Sequence, residues 1–232
     1  MSNSGTGFAT RLTEGLAALE IELDAAAIER LQRYFVELKK WNARINLIAK
    51  ASADDQIIES HFLDSLTLLP LLQGDGVRLL DVGSGAGFPG LVLKAAKPEM
   101  AVTLVEPRSK RVFFLRHIGR TLQLPELTVH CCRVEEQEQL PDNIPVSHIT
   151  SRAVSDIAGF LALVGRFTAP DLKIVCMKGP RWQQELAAAG PALARCGFVR
   201  ERVVTAMLPF SRAERALLVF RRQPASGQPL VK

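Results

Sequence analysis

The segment Asp81-Val82-Gly83-Ser84-Gly85-Ala86-Gly87-Phe88-Pro89-Gly90 carries the most specific chemistry in the chain. An apolar run, Val77-Arg78-Leu79-Leu80-Asp81-Val82, enters it, and a helical pattern opens at Leu91. Glycines between a strand and a helix let the backbone turn sharply and come close to a ligand. Glu106 ends the next apolar run. A carboxylate about 20 residues beyond such a loop is placed to accept hydrogen bonds from ribose hydroxyls.

Two cofactors compete for this loop. A dinucleotide fingerprint, Gly-x-Gly-x-x-Gly, needs glycine where Phe88 stands; the pattern here is Gly-x-Gly-x-Gly. Asp81 lies just ahead of the first glycine. A carboxylate there is a poor neighbour for a pyrophosphate and a tolerable one for a sulfonium and its amino group. Spacing and charge favour S-adenosylmethionine over NAD. A plain glycine turn without a ligand is the bland alternative, and the flanking strand, the helix and Glu106 weigh against it.

The elements that position this loop follow from periodicity. Residues 1–73 read as a helical extension without strand alternation. Leu12, Leu16 and Leu19 share a face of a first helix. Asp24 caps a second, with Ile28, Leu31, Phe35 and Leu38 as its apolar face. A third runs from Asp54 to Leu69 and is stopped by Pro70. Residues 74–222 alternate strands (Val77–Val82, Val102–Glu106, Leu127–Cys131, His148–Ser151, Leu172–Met177) with helices (Leu91–Ala96, Lys110–Leu122, Ile157–Arg166, Gln183–Ala194). Two last strands, Phe198–Thr205 and Ala216–Phe220, have no helix between them and should pair antiparallel. The class is α/β: a Rossmann-like, mostly parallel seven-stranded sheet, and joined to a loop that favours S-adenosylmethionine it carries the expectation of a class I S-adenosylmethionine methyltransferase fold. Residues 223–232 read as a loose tail.

Composition narrows the setting. A chain of 232 residues suits one sizeable domain with an extension, and no apolar run approaches the ~18 residues of a membrane span. The N-terminus lacks the basic and apolar regions of a secretion signal. Cys131, Cys132, Cys176 and Cys196 form no C-x-x-C, so no metal is expected; Cys131, Cys176 and Cys196 sit near apolar residues and read as reduced core or near-core thiols. A cytoplasmic monomer is the expectation. The net charge of +5 favours a polyanionic partner, nucleic acid first.

Other candidates carry a functional and a bland reading each. Arg152 falls just past the fourth strand, at the carboxyl edge where α/β proteins bind ligands, and can meet a cofactor carboxylate or a target nucleotide; it is otherwise a surface arginine. Glu135 is a cofactor contact or a structural cap. His61 and Asp64, three apart on a helix, can meet each other. Lys39, Lys40, Arg44 and Lys50 surround Trp41 as an RNA contact or a solvated helix end. Lys178 follows the fifth strand, on the same carboxyl edge, and can touch phosphate.

At these residues the sequence resembles the RsmG (glucose-inhibited division protein B, GidB) family of bacterial 16S rRNA methyltransferases. The glycine segment is one match. Others are Lys110-Arg111-Val112-Phe113-Phe114-Leu115-Arg116, Arg133-Val134-Glu135-Glu136 and Ser151-Arg152-Ala153. Upstream, Trp41-Asn42-Ala43-Arg44-Ile45-Asn46-Leu47 and His61-Phe62-Leu63-Asp64-Ser65-Leu66 match the family's helical extension. Pro107-Arg108-Ser109 and the Cys131-Cys132 pair depart from the pattern. The resemblance implies S-adenosylmethionine contacts at Gly83, Phe88, Val134, Glu135 and Arg152, to which loop physics adds Asp81, Gly85 and Glu106. It implies guanine 527 of 16S rRNA, in the small ribosomal subunit, as the target, methylated at N7. Guanine N7 carries a free lone pair, so the site must orient rather than deprotonate, and Arg152 is the residue expected to do so. No Asn-Pro-Pro-aromatic or Pro-Cys motif points to another atom. Rival classes are an NAD oxidoreductase, opposed by Phe88 and by Tyr34 being the only tyrosine, and a non-catalytic RNA-binding protein, opposed by the intact glycines. A methyltransferase of this fold acting on another RNA is the nearer alternative.

Overall fold

The computed structural model describes residues 4–222 except 51, 153 and 170. The expected tail 223–232, the first three residues and Ala153 lie outside the described residues. The extension begins with α1 (Ser4–Ala18) and α2 (Ala25–Asn42). Asp24 caps α2 as expected, its side chain accepting from Ala27 N at 2.6 Å. The buried face is Leu31, Tyr34, Phe35 and Leu38, with Ile28 only half-buried.

The single helix expected from Asp54 to Leu69 is four short pieces. They are α3 (Asp54–Ile57), a π-turn (Ile58–Leu63), α4 (Asp64–Leu66) and a 3-10 turn (Leu69–Leu71) that contains Pro70. Side-chain hydroxyls compete for the helix carbonyls here. Ser65 Oγ donates to His61 O at 2.5 Å and Thr67 Oγ1 to Asp64 O at 2.6 Å, a pattern that bends helices.

The core follows as β1 (Arg78–Val82), α5 (Gly90–Ala96), β2 (Ala101–Val105), α6 (Ser109–Thr121) and β3 (Leu127–His130). Then come β4 (His148–Arg152), α7 (Ile157–Val164), β5 (Lys173–Lys178), α8 (Trp182–Ala188), α9 (Gly190–Cys196), β6 (Phe198–Met207) and β7 (Glu214–Arg222). The sheet has seven strands in the order β3-β2-β1-β4-β5-β7-β6. β1 to β5 are parallel; β7 runs antiparallel to β5 and to β6, as the missing last helix predicts. The β6–β7 register shifts between Arg200 and Arg202. The helix expected over 183–194 breaks at Gly190-Pro191, since proline cannot donate to the preceding turn.

Strand alternation sends neighbouring residues to opposite faces. Leu79, Leu104 and Val175 join one apolar cluster; Leu80, Val105 and Ile174 join the other. The first cluster also holds Leu12, Tyr34 and Phe62 of the extension and Leu91 and Phe114 of α5 and α6. The boundary near residue 73 therefore marks a change of secondary structure within one continuous core. Cys131 corrects the expectation of a near-core thiol: it is exposed just past β3, whereas Cys132 and Cys176 are buried and Cys196 half-buried. Burial pushes the Cys176 thiol up to about 12, which keeps it protonated and inert. All four are free thiols. No described helix is long and apolar enough to cross a membrane, and no group of metal-binding side chains occurs among the described residues.

Candidate active site

β1 carries Asp81 into the interior, where its side chain is fully buried. Its Oδ2 accepts from Gly90 N at 3.0 Å, while Oδ1 is buried without a hydrogen-bond partner. Burial raises the carboxyl to about 6 despite the Gly90 hydrogen bond, while Ser84 Oγ donates to the main-chain carbonyl of Asp81 at 3.0 Å. Gly90 must be glycine: a Cβ there would sit 2.7 Å from both Asp81 Cβ and Leu104 Cδ2. Gly85 needs its freedom for another reason, a φ of +59° at the tip of the turn. Gly83 N and Ser84 N both donate to Val105 O, at 2.8 and 3.1 Å, pinning the loop's start to β2.

Glu106, buried at the end of β2, ties the loop to the next turn. Its Oε2 accepts from Gly85 N and its Oε1 from Arg108 N, each at 2.9 Å. A carboxylate has lone pairs left after two such bonds, so ribose hydroxyls remain within its capacity. Val134 is buried and Glu135 exposed. The turn they occupy is capped by Glu136, which accepts from Arg133 N at 3.2 Å, so Glu135 is free of that structural task.

Phe88 faces the extension. Its ring stacks on His61 at 4.7 Å and lies 6.0 Å from Tyr34, and the Arg152 guanidinium sits 5.0 Å from its centroid. Tyr34, from α2, is buried and donates a short hydrogen bond to Ala86 O inside the glycine loop. The helical extension thus buttresses the loop directly. Arg152 is bound to the extension as well: it donates to Ser60 O at 2.7 Å, to Asp64 Oδ2 at 3.2 Å and to His61 Nδ1 at 3.0 Å. His61 and Asp64, expected to meet each other, meet through Arg152. Asp64 also accepts from Arg215 Nε of β7 at 2.8 Å. These side chains, with Lys178 and Asp156, line an open cleft of about 710 Å³ at the carboxyl edge of the sheet. Lys178 is occupied within it, donating to Ser155 O at 2.7 Å and pairing with Glu185 at 2.8 Å.

The basic stretch after α2 is partly neutralised. Lys39 pairs with Asp54 at 2.6 Å and Lys40 with Glu37 at 2.7 Å. Arg44 is exposed and makes no ion pair among the described residues. Trp41 packs half-buried on Phe114 and His117. Sequence reasoning missed three features. Tyr34 and Glu59 act across long sequence separations; the only local hint was a polar group on an apolar helix face, which must find a partner when buried. The third is legible in hindsight: Lys110, Phe113, Arg116 and Arg120 share the exposed face of α6, with Phe113 61% exposed among the cations.

Solved structures share this architecture at low identity, and the likeness is one of fold. A mutant of MtNAS in complex with S-adenosylmethionine matches with a TM-score of 0.57 at 16% identity, over 95% of this chain and 97% of that one. Ribosomal protein L11 methylase from Lactobacillus delbrueckii subsp. bulgaricus matches at 0.54 and 11% identity, over 71% and 79%. The strand order, the glycine loop after β1 and the acid closing β2 define a Rossmann-like methyltransferase of the S-adenosylmethionine-binding kind. Sequence relatives are far nearer. Ribosomal RNA small subunit methyltransferase G of Desulfotalea psychrophila is 55% identical over 92% of this chain and 98% of its own length, and that of Myxococcus xanthus 40% identical over 93% and 98%. The chain belongs to the GidB family, rRNA small subunit methyltransferase G, whose model matches residues 27–216.

Proposed function

We propose that the protein methylates N7 of guanine 527 in the 16S rRNA of the small ribosomal subunit, with S-adenosylmethionine as donor. One observation carries the cofactor half of this reading: the buried, partnerless Oδ1 of Asp81 beside the glycine loop. An unpaired carboxylate oxygen is costly unless a donor arrives, and a cationic amino group is such a donor. Asp81, Gly83, Gly85 and Phe88 would hold the cofactor from the β1 side, Glu106 its ribose, Val134 and Glu135 its base end, and Arg152 its far side toward the cleft. The bound cofactor supplies a methyl group activated by attachment to a sulfonium. The chain's own residues then have two tasks, holding N7 in line and keeping water out. No residue needs to remove a proton, since N7 has none. Arg152, fixed by three partners, orients the site as a cation of defined position. For RNA, Arg44 remains a candidate, and Lys39, Lys40 and Lys178 would each have to exchange an acidic partner for phosphate.

The test is direct. The protein is incubated with 16S rRNA or small subunits and radiolabelled S-adenosylmethionine, and the product is treated with borohydride and aniline. Cleavage at one guanine is expected, because N7 methylation leaves a fixed positive charge that makes the site labile. Label at a site that resists cleavage would overturn N7, and label in a different RNA would overturn the substrate.

A further inference from the structure

The π-turn Ile58–Leu63 is a less favourable turn than the α-helix it interrupts, and such turns collect at functional sites. It presents Ser60 and His61, with Asp64 one residue beyond, to the same guanidinium. The consequence for His61 is chemical. Arg152 has no acceptor, so the 3.0 Å contact to His61 Nδ1 requires the lone pair on Nδ1 and the hydrogen on Nε2. The ring is also fixed in plane, stacked 4.7 Å from Phe88 at an angle of 14°. Burial and the Arg152 charge hold its pKa down at about 4, so the imidazole is neutral at physiological pH. His61 lines the cleft at the carboxyl edge, and its Nε2 has no hydrogen-bond partner among the described residues. The site therefore contains a neutral N–H donor of fixed tautomer and orientation that no described protein group engages.

We propose that the Nε2–H of His61 reads O6 of the target guanine and so selects the base. The proposal rests on the guanine-N7 reading above. On the edge of guanine that carries N7, the neighbouring group is O6, a second acceptor; adenine has an amino donor in that place. N7 must stay free for the methyl group, which leaves O6 as the acceptor to recognise. A fixed N–H donor facing the adenine amino group would leave two donors unpaired in a closing site, which is how polar sites reject a near-isostere. Neutrality matters too. The ring becomes positively charged as N7 is alkylated, and an imidazolium beside O6 would oppose that charge where a neutral donor does not.

The experiment is a cycle of protein and base changes. Full-length 16S rRNA is assembled with guanine or 2-aminopurine at the methylated position; 2-aminopurine keeps N7 and lacks O6. Single-turnover kcat/KM is measured for the wild type, His61→Ala and His61→Gln, with cofactor affinity by calorimetry as the check on folding. His61→Ala should lose about 10- to 100-fold on guanine, the value of one specific hydrogen bond, and less than about 3-fold on 2-aminopurine. His61→Gln, whose amide restores a donor at similar reach, should recover part of the loss on guanine alone. An equal loss on both bases, in variants that bind cofactor normally, would make His61 a structural support and overturn the proposal. A wild type that leaves no N7-methylguanine in the guanine RNA would instead overturn the reading on which it rests.

Discussion

Asp81 is buried with one oxygen used and one idle, and its titration has a definite sign. The folded carboxyl, at about 6, lies above its ordinary value of 3.8. The fold thus favours the protonated form, and Asp81's contribution to stability falls as pH rises from about 4 through about 6. Above that window the ionised side chain is a net cost. Asp81→Asn keeps an acceptor for Gly90 N and removes the charge; an unpaired amide costs less than an unpaired carboxylate. The cofactor-free variant should melt a few degrees higher than wild type at pH 7.5, with the gain shrinking toward pH 4.5, while S-adenosylmethionine affinity drops by about 1–3 kcal/mol. Melts at the two pH values and calorimetry check both halves, and an unstabilised variant would show that the charge is already compensated. The residues that could be read from the sequence are those whose roles are local: Asp81, Gly85, Phe88 and Glu106 lie on one strand–loop–helix signal. Tyr34 grips Ala86 across 52 residues, and nothing in its neighbourhood announces that partner.

Among the elements, strands and helices of the core fall within two residues of their expected ends, the divided helix over 183–194 apart, because short apolar runs with glycine punctuation are strong signals. The π-turn escaped because its apolar positions, Ile57, Ile58, Phe62 and Leu66, suit an α-helix equally well. The deciding terms are tertiary. Glu59, buried in that turn, accepts from Phe210 N at 2.7 Å and Ser211 N at 2.8 Å in the β6–β7 connection. Glu59→Ala would strand two backbone donors and should cost about 2–4 kcal/mol of stability. It should slow methyl transfer more than it weakens cofactor binding, since the connection leads into β7 and Arg215, and Arg215 steadies Asp64 and hence Arg152. Denaturant titration and single-turnover kinetics separate the two effects. For α6, replacing Lys110, Arg116 and Arg120 with Gln should flatten the salt dependence of RNA binding by about 2 in log–log slope, at ~0.7 per phosphate contact on single strands. Replacing Lys39 and Lys40 should flatten it less, because each already has a carboxylate partner. An α6 variant with an unchanged slope would return its basic face to the role of a solvated surface.

At the scale of the whole molecule, the extension and the sheet share a hydrophobic cluster that runs from Phe8 to Val219. Polar links reinforce it, among them Tyr34 to Ala86, Arg152 to Asp64 and Arg30 Nε to Ala95 O at 2.7 Å. Helices that complete a core cannot melt on their own without exposing it. Calorimetry should therefore show a single unfolding transition with equal calorimetric and van't Hoff enthalpies. Two transitions would mean that the extension is a separate folding unit. The sequence shows where helices give way to alternating strands, but pattern alone does not say whether a change of pattern is also a change of core.

The register shift in β6 has a consequence for how this protein behaves in a crowded solution. β6 is the last strand of the sheet, so its outer backbone groups lack a neighbour within the sheet, and such a row is a template for strands of other chains. Here the ladder is interrupted between Arg200 and Arg202, and the interruption is flanked by exposed charge from Arg200, Glu201 and Arg202. An incoming strand would find the run along β6 cut to Arg202–Met207 and would bury charge to extend past it. At the opposite margin β3 offers only four residues, Leu127–His130, too short a stretch to hold a guest. The two margins of the sheet are thus guarded by different means against self-templated polymerisation, one by a broken rhythm with charge and the other by brevity.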